Sequence, residues 1–171
     1  SRMLRLRYRK KKTGGRSTLE EIVLKCRGVM SGKAKGEALV TTQPISFWGG
    51  IDSKTGLIID KRNEMCGKSI CEKVLVFPYS KGSSTSSAVF LEAVRRGKAP
   101  VAIVNVETEP LLAVGVILAN RLYQKIIPVV DHVQTNPCEI IANSDLVGVD
   151  ADSGVLRVMK THTRKDRSRI R

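Results

Sequence analysis

VLVFPYSKGSSTSSAVFLEAVRRG, residues Val74–Gly97, decides the fold of this chain. The four apolar residues Val74–Phe77 are short and rich in strand formers, as suits a buried strand. Pro78 stops it, having no N–H to give to a ladder. After Tyr79, Ser80, Lys81 and Gly82 come five hydroxyl residues in a row, Ser83, Ser84, Thr85, Ser86 and Ser87. From Ala88 the spacing of Ala88, Leu91 and Val94 is helical, and Gly97 stands where a helix ends. Strand, Gly/Ser loop and helix together aim backbone N–H groups and a helix N-terminus at one point. Roughly half a positive charge sits there, which suits a carboxylate or a phosphate.

Downstream, Val101–Val106 is a second buried strand, so the two strands and their helix form a parallel βαβ unit. Thr108 or Glu109 caps the next helix, with Pro110 at its first position and Leu111, Val114, Ile117 and Leu118 on its apolar face. Ile126–Val130 is a third strand, where Pro128 marks a sheet edge or a strand end. Leu146–Val149 and Val155–Met159 flank Asp150–Gly154 as a hairpin. Upstream, Ile22–Leu24 and Gly36–Thr41 read as strands, Arg5–Arg9 alternates as an edge strand can, and Asp52–Gly56 is a turn into a strand over Leu57–Asp60. Strands at both ends around two βα units predict a mixed-sheet α/β or α+β domain.

The 171 residues, 42% hydrophobic, are enough for one domain with a real core. No run of 18 apolar residues occurs and no apolar stretch follows the basic start, so neither a membrane span nor a secretion signal is expected. Cys26, Cys66, Cys71 and Cys138 are too sparse for a disulfide framework, which fits a cytoplasmic location. The formal charge of +14 is uneven. Residues 1–18 hold eight Lys/Arg and no acid, residues 157–171 hold seven against Asp166, and residues 19–156 balance 15 against 15. We therefore read 1–18 as a basic flexible arm, 19–159 as the domain and 160–171 as a basic tail. A nucleic-acid-binding fold usually carries its basic face on the ordered body. Tail charge alone supports only salt-sensitive, sequence-independent binding, so a non-enzymatic module using its tails on nucleic acid or an acidic partner is the alternative of another class.

Metal and hydrolase patterns are weak. Cys66 and Cys71 lack zinc or cluster spacing, and Lys81-Gly82-Ser83-Ser84 is not a Walker loop. A Ser–His pair would need His132 to reach Ser83. One hydroxyl suffices to cap a helix, so five leave some over for chemistry. A serine beside Gly82 at a positive helix end can have its alkoxide stabilised by backbone donors and serve as a general base. Trp48, Gly49 and Gly50 belong either to a turn whose tryptophan caps the core or to a loop whose paired glycines let backbone approach a ligand.

Ser46-Phe47-Trp48-Gly49-Gly50-Ile51-Asp52, Thr55–Asp60, Lys81–Thr85 with Leu91-Glu92-Ala93, Lys98-Ala99-Pro100 and Glu109–Gly115 together resemble the small subunit of aconitase X, over about Gly28 to Met159. The resemblance implies the swivelling β/β/α three-layer domain with mixed sheets of the aconitase superfamily. It also implies a large-subunit partner that carries an iron–sulfur cluster, with no cofactor bound by this chain. The implied reaction is dehydration of a small hydroxy-carboxylate, cis-3-hydroxy-L-proline or mevalonate 5-phosphate. By position, Ser83 is the implied base, beside Ser84, and Thr85 stands where aconitases place a substrate-binding arginine. Lys81, Gly82, Ser84, Thr85, Trp48, Gly49 and Gly50 are the expected substrate contacts. Two departures stand out: Lys81 replaces the more usual arginine, a point charge for a bidentate fork, and Asn63 replaces a histidine. The run Gly82–Ser87 favours the hydroxyproline branch over the mevalonate-phosphate branch.

Overall fold

The computed structural model describes residues 7–11 and 19–161; the rest of the basic arm and tail lie outside the described residues. In chain order the elements begin with β1 (Arg7–Lys11), β2 (Leu19–Lys25), β3 (Arg27–Met30), β4 (Lys33–Val40) and β5 (Ile45–Ser46). A one-turn segment, α1 (Phe47–Gly50), is broken by non-helical backbone at Trp48 and Gly49. Next come β6 (Ile51–Asp52), β7 (Leu57–Ile58), β8 (Val74–Phe77), β9 (Ser80–Lys81), α2 (Ser84–Arg95), β10 (Ala102–Asn105) and α3 (Pro110–Tyr123). The chain closes with β11 (Val129–Asp131), α4 (Pro137–Ile140), β12 (Leu146–Asp150) and β13 (Val155–Lys160).

Nine strands form one sheet in the order β1-β2-β13-β12-β4-β8-β10-β11-β3. As the βαβ reading requires, β8 and β10 are parallel, with Leu75 opposite Ile103. β10 is also parallel to β11. Strand β4 joins two halves: its first five residues pair antiparallel with β12, and Ala38–Val40 pair parallel with β8. The two ends of the sheet meet again, because β2 near one end and β3 at the other are one run of chain broken only at Cys26, whose N–H donates to Gly154 O. The sheet is therefore curled into a near-closed barrel.

Strand periodicity sorts the core into two layers. Val74 and Val76, with Ala102, Val104 and Val130, face inward against Ile22, Leu24, Val147, Val149, Leu156 and Val158. The alternate residues Leu75, Phe77, Ile103 and Val129 face the helices, against Phe90, Val94, Leu112 and Val116. All four residues of β8 are buried, which explains its unbroken apolar run. The result is the expected β/β/α stack. Gly97 ends α2 in the left-handed region (φ 69°) as read from sequence. Glu109, not Thr108, caps α3 by accepting from the N–H groups of Leu111 and Leu112.

Three expectations change. Trp48 does not cap the core: it is 63% exposed, and its neighbour Phe47 is the buried ring, edge-on to Phe77 and Phe90 at 6.4 and 5.4 Å. Of the two readings of Pro128 the sheet edge falls, since β3 covers the far side of β11, while the strand end holds, Pro128 standing just before β11. Not all of the basic excess is external to the sheet: Lys160 Nζ pairs with buried Asp145 at 2.7 Å, and Arg157 pairs with Glu21 at 3.6 Å.

Candidate functional site

β4, β8, β10 and β11 run parallel and so end at one edge of the sheet, where the loops that start α2 and α3 leave it. Strands β5 and β9 form a small parallel ladder there, with Ile45 opposite Ser80 and Ser46 opposite Lys81. That ladder brings the Phe47–Gly50 segment beside the loop that starts α2. Ile59 N–H donates to Gly50 O at 2.8 Å, which adds the 59–64 turn to the same cluster. The two stretches singled out from sequence, Trp48-Gly49-Gly50 and Lys81–Thr85, thus lie on neighbouring loops.

Within the second loop each residue has a distinct position. Gly82 has φ 138°, and a Cβ there would fall 2.0 Å from Ser86 Oγ and 3.7 Å from Ser46 Oγ. Only glycine fits this turn without displacement. Ser83 is the N-cap of α2, and its Oγ accepts from Thr85 N–H at 3.3 Å. Capping and candidate base therefore coincide on one oxygen. A backbone donor and a helix N-terminus at that oxygen both favour negative charge on it. Lys81, Gly82, Ser83, Ser84 and Thr85 are all exposed, whereas Ser86 and Ser87 turn inward. Ser87 Oγ donates to Leu111 O at 2.8 Å and ties α2 to α3. The five hydroxyls thus split by helix geometry, three facing out at the loop and two facing in.

The basic residues follow the same logic. Lys81 lies close enough to Asp60 to help hold that carboxyl below the usual range, although the main causes are the Arg62 N–H and side chain that bond it. Asn63 is buried and its Oδ1 accepts from Met65 N–H, so here the position serves the turn. His132 follows β11 and lines a different groove, with Lys25, Cys26, Arg27 and Gln134.

Two features escaped the sequence reading. Glu64 Oε1 accepts from Thr41 Oγ1, Thr42 N and Thr42 Oγ1, clamping the end of β4 to the 60–66 turn. These donors hold its carboxyl below the ordinary value, the Thr42 N–H first. Asp131, fully buried, takes a fork from Arg27. Both unite residues far apart in sequence, and no local pattern announces them.

The described residues fit a metal or cluster poorly. Among the described residues no three His, Cys, Asp or Glu side chains converge as metal ligands. Burial, first of all, pushes the thiols of Cys26 and Cys138 up to about 11, far from the thiolate that a metal needs.

Comparison with known proteins settles the family: the aconitase X swivel domain matches residues 23–158. The chain belongs to the aconitase X swivel-domain family. A 42% identical relative is the phosphomevalonate dehydratase small subunit of Methanosarcina acetivorans, matched over 81% of this chain and 92% of the relative. The small subunit of the same name from Thermococcus sibiricus is 40% identical, over 79% and 97%. Among solved structures, aconitase X of Thermococcus kodakaraensis in its holo-form superposes with a TM-score of 0.73 at 38% identity, covering 81% of this chain and 98% of that one. The aconitase X resemblance read from the loops is thereby established, and with it the β/β/α architecture.

Proposed function

We propose that this chain is the small subunit of a phosphomevalonate dehydratase, contributing Ser83 as the general base of a hydro-lyase whose other half is a large subunit. The observation that carries the reading is the Ser83 site: an exposed serine whose hydroxyl oxygen accepts a backbone N–H at the start of α2, in a loop whose glycine has no room for a Cβ as it stands. The relatives near 40% identity support mevalonate 5-phosphate over the hydroxyproline substrate that the Gly82–Ser87 run favoured.

The chemistry follows from the position. The substrate carboxylate lies toward the N-terminus of α2, where unspent N–H groups and the helix dipole oppose its charge. Ser83 Oγ then faces the adjacent carbon and takes one of its protons as the carbon–carbon double bond forms. The hydroxyl on the next carbon leaves, so that proton and hydroxyl together make water. Lys81 supplies a cation beside the loop. Trp48, Gly49, Gly50, Ser84 and Thr85 form the remaining wall. An iron–sulfur cluster of the large subunit would supply the Lewis acid for the departing hydroxyl, and no ligand set for it converges among the described residues of this chain.

The test is Ser83→Asn in the co-expressed pair. Asparagine is as good an N-cap as serine and cannot act as the base. We expect assembly and melting temperature to hold while kcat falls by about 10²–10⁴. Full turnover in the Asn variant would refute the base assignment. Turnover of cis-3-hydroxy-L-proline and not mevalonate 5-phosphate by the wild-type pair would refute the substrate.

A further inference from the structure

A second concavity lies along the same sheet edge, beyond β10. It is a shallow groove of about 320 Å³ lined by Lys25, Cys26, Arg27, His132 and Gln134. Its walls are fixed. Arg27 Nε and Nη2 donate to Asp131 Oδ1 and Oδ2 at 2.8 and 2.9 Å, and Thr108 N–H donates to Oδ2 at 2.9 Å. The Asp131 side chain is wholly buried, while that of Arg27 is 56% exposed. A fully buried carboxylate therefore holds a surface guanidinium in one orientation, and the other amino group, Nη1, has no hydrogen bond among the described residues. Gln134 N–H donates to Lys25 O at 2.8 Å, and Lys25 N–H donates to Gln134 Oε1 at 3.2 Å. This reciprocal pair presents both side chains on one wall, and Lys25 has no ion pair among the described residues. His132 sits at φ 45°, a conformation unfavourable for a non-glycine residue, with its N–H on Val106 O.

A structural ion pair joining β3 to β11 would account for Arg27 and Asp131 alone. It does not account for the strained His132, the unspent Nη1 or the unpaired Lys25 around the same hollow. Strained residues persist where the surroundings over-determine them, and they concentrate at ligand sites. The ligand type follows from the donors: two cations, an imidazole and the amide N–H₂ of Gln134, with a guanidinium edge that matches the spacing of oxyanion oxygens. Cys26 adds no charge near neutral pH, since its thiol is pushed up to about 11. Glu107, within electrostatic range of Arg27, opposes an anion.

We propose that this groove binds the oxyanion of a phosphate monoester, with Arg27 Nη1 and Lys25 Nζ as charged donors. The site stands independently of the dehydration reading; only the choice of phosphate source rests on it. Strand spacing puts β11 roughly 10 Å from β8, so the phosphate belongs either to the far end of the substrate or to a separate phosphate compound.

The experiment is an NMR titration of the full chain with inorganic phosphate and with glycerol phosphate, against chloride at equal ionic strength. Shifts at Lys25, Arg27, His132 and Gln134 are expected, with Kd about tenfold weaker in Lys25→Ala and tighter in Glu107→Gln. Both substitutions are at exposed positions, so the fold is retained. Shifts confined to Gly82–Thr85, or a Kd unchanged by Lys25→Ala, would overturn the proposal. In the co-expressed pair, a rise of about tenfold in KM for mevalonate 5-phosphate in Lys25→Ala, with kcat nearly constant, identifies the substrate's own phosphate. An unchanged KM alongside lost phosphate binding identifies a separate compound. A wild-type pair that does not turn over the substrate defeats the dehydration reading and leaves the groove titration standing.

Discussion

Gly82 and Ser86 show how a single contact sets the reactive loop. The Gly82 backbone adopts φ 138°, and Ser86 Oγ occupies the space where a Cβ would project. Ser86 Oγ is itself buried without a hydrogen-bond partner among the described residues, beside a small cleft lined by Phe47, Ser80, Ser87, Glu109 and Leu112. A buried hydroxyl left unpaired costs about 1–3 kcal/mol, which the loop tolerates in order to pack closely behind Ser83. Gly82→Ala therefore meets two obstacles, the clash and the backbone. Adding Ser86→Gly removes the clash and leaves the backbone strain, of order 1–3 kcal/mol. We expect Gly82→Ala to cut kcat of the co-expressed pair more than tenfold, the double variant to recover part of that loss, and thermal melting to follow the same order. Full activity in Gly82→Ala would show that the loop geometry does not matter to the reaction.

At the scale of elements, the loop and its strand and helix were legible because their signals are local. An apolar run, a proline stop, a hydroxyl cap and a terminal glycine all lie within Val74–Gly97, and the structure returns β8 and Gly97 at the expected positions, while α2 starts at Ser84, four residues before the apolar spacing begins at Ala88. Trp48 misled because size suggests a core role, whereas the buried ring is its neighbour Phe47. The Arg27–Asp131 clamp was invisible for another reason: its partners lie 104 residues apart and meet only when β3 pairs with β11. That clamp has a pH signature. Burial alone would raise the Asp131 carboxyl, but the Arg27 fork and the Thr108 N–H outweigh it and hold the carboxyl below its usual value. A folded pKa below the unfolded one adds stability that is fully present above the unfolded value of about 4 and is lost as pH falls through the folded value. Asp52, Asp60, Glu64 and Asp150 are lowered as well and share this sign. The stability of the wild type in urea should fall steadily below about pH 4. Asp131→Asn should lower stability at pH 7 by about 1–3 kcal/mol, as for hydrogen bonds lost at a buried acceptor whose partner Arg27 is half exposed, and should flatten the acid slope. An acid slope unchanged in Asp131→Asn would show that the clamp contributes nothing through ionisation.

For the whole molecule, the property that places Ser83, Glu109 and Arg27 along one edge is the closure of the curled sheet. Sequence periodicity reveals strands but not which ends meet, so the seam between β2 and β3 could not be read in advance. At that seam two backbones approach too closely for side chains. A Cβ on Gly28 would lie 2.0 Å from Ala151 O, and one on Gly154, at φ 66°, would lie 2.6 Å from Cys26 O. The obstructing atoms are backbone carbonyls in paired strands and their hairpin, which cannot swing aside as a side chain can. Gly28→Ala must therefore push the β12–β13 hairpin away from β3, and it threatens the bond from Cys26 N–H to Gly154 O along with it. Overpacking of this kind costs about 1–3 kcal/mol, and the added loss of a backbone hydrogen bond puts Gly28→Ala at the upper end. Because β3 also carries Arg27, the displacement reaches the groove as well as the fold. We expect Gly28→Ala to lower Tm by several degrees and to speed amide exchange at Cys26 and Asp131, while amides of α2, anchored on β8 on the other side of the sheet, keep their protection. Uniform loss of protection across both regions would mean that the seam is no separate unit of stability, and an unchanged Tm would mean that the barrel does not close where the backbone contacts place it.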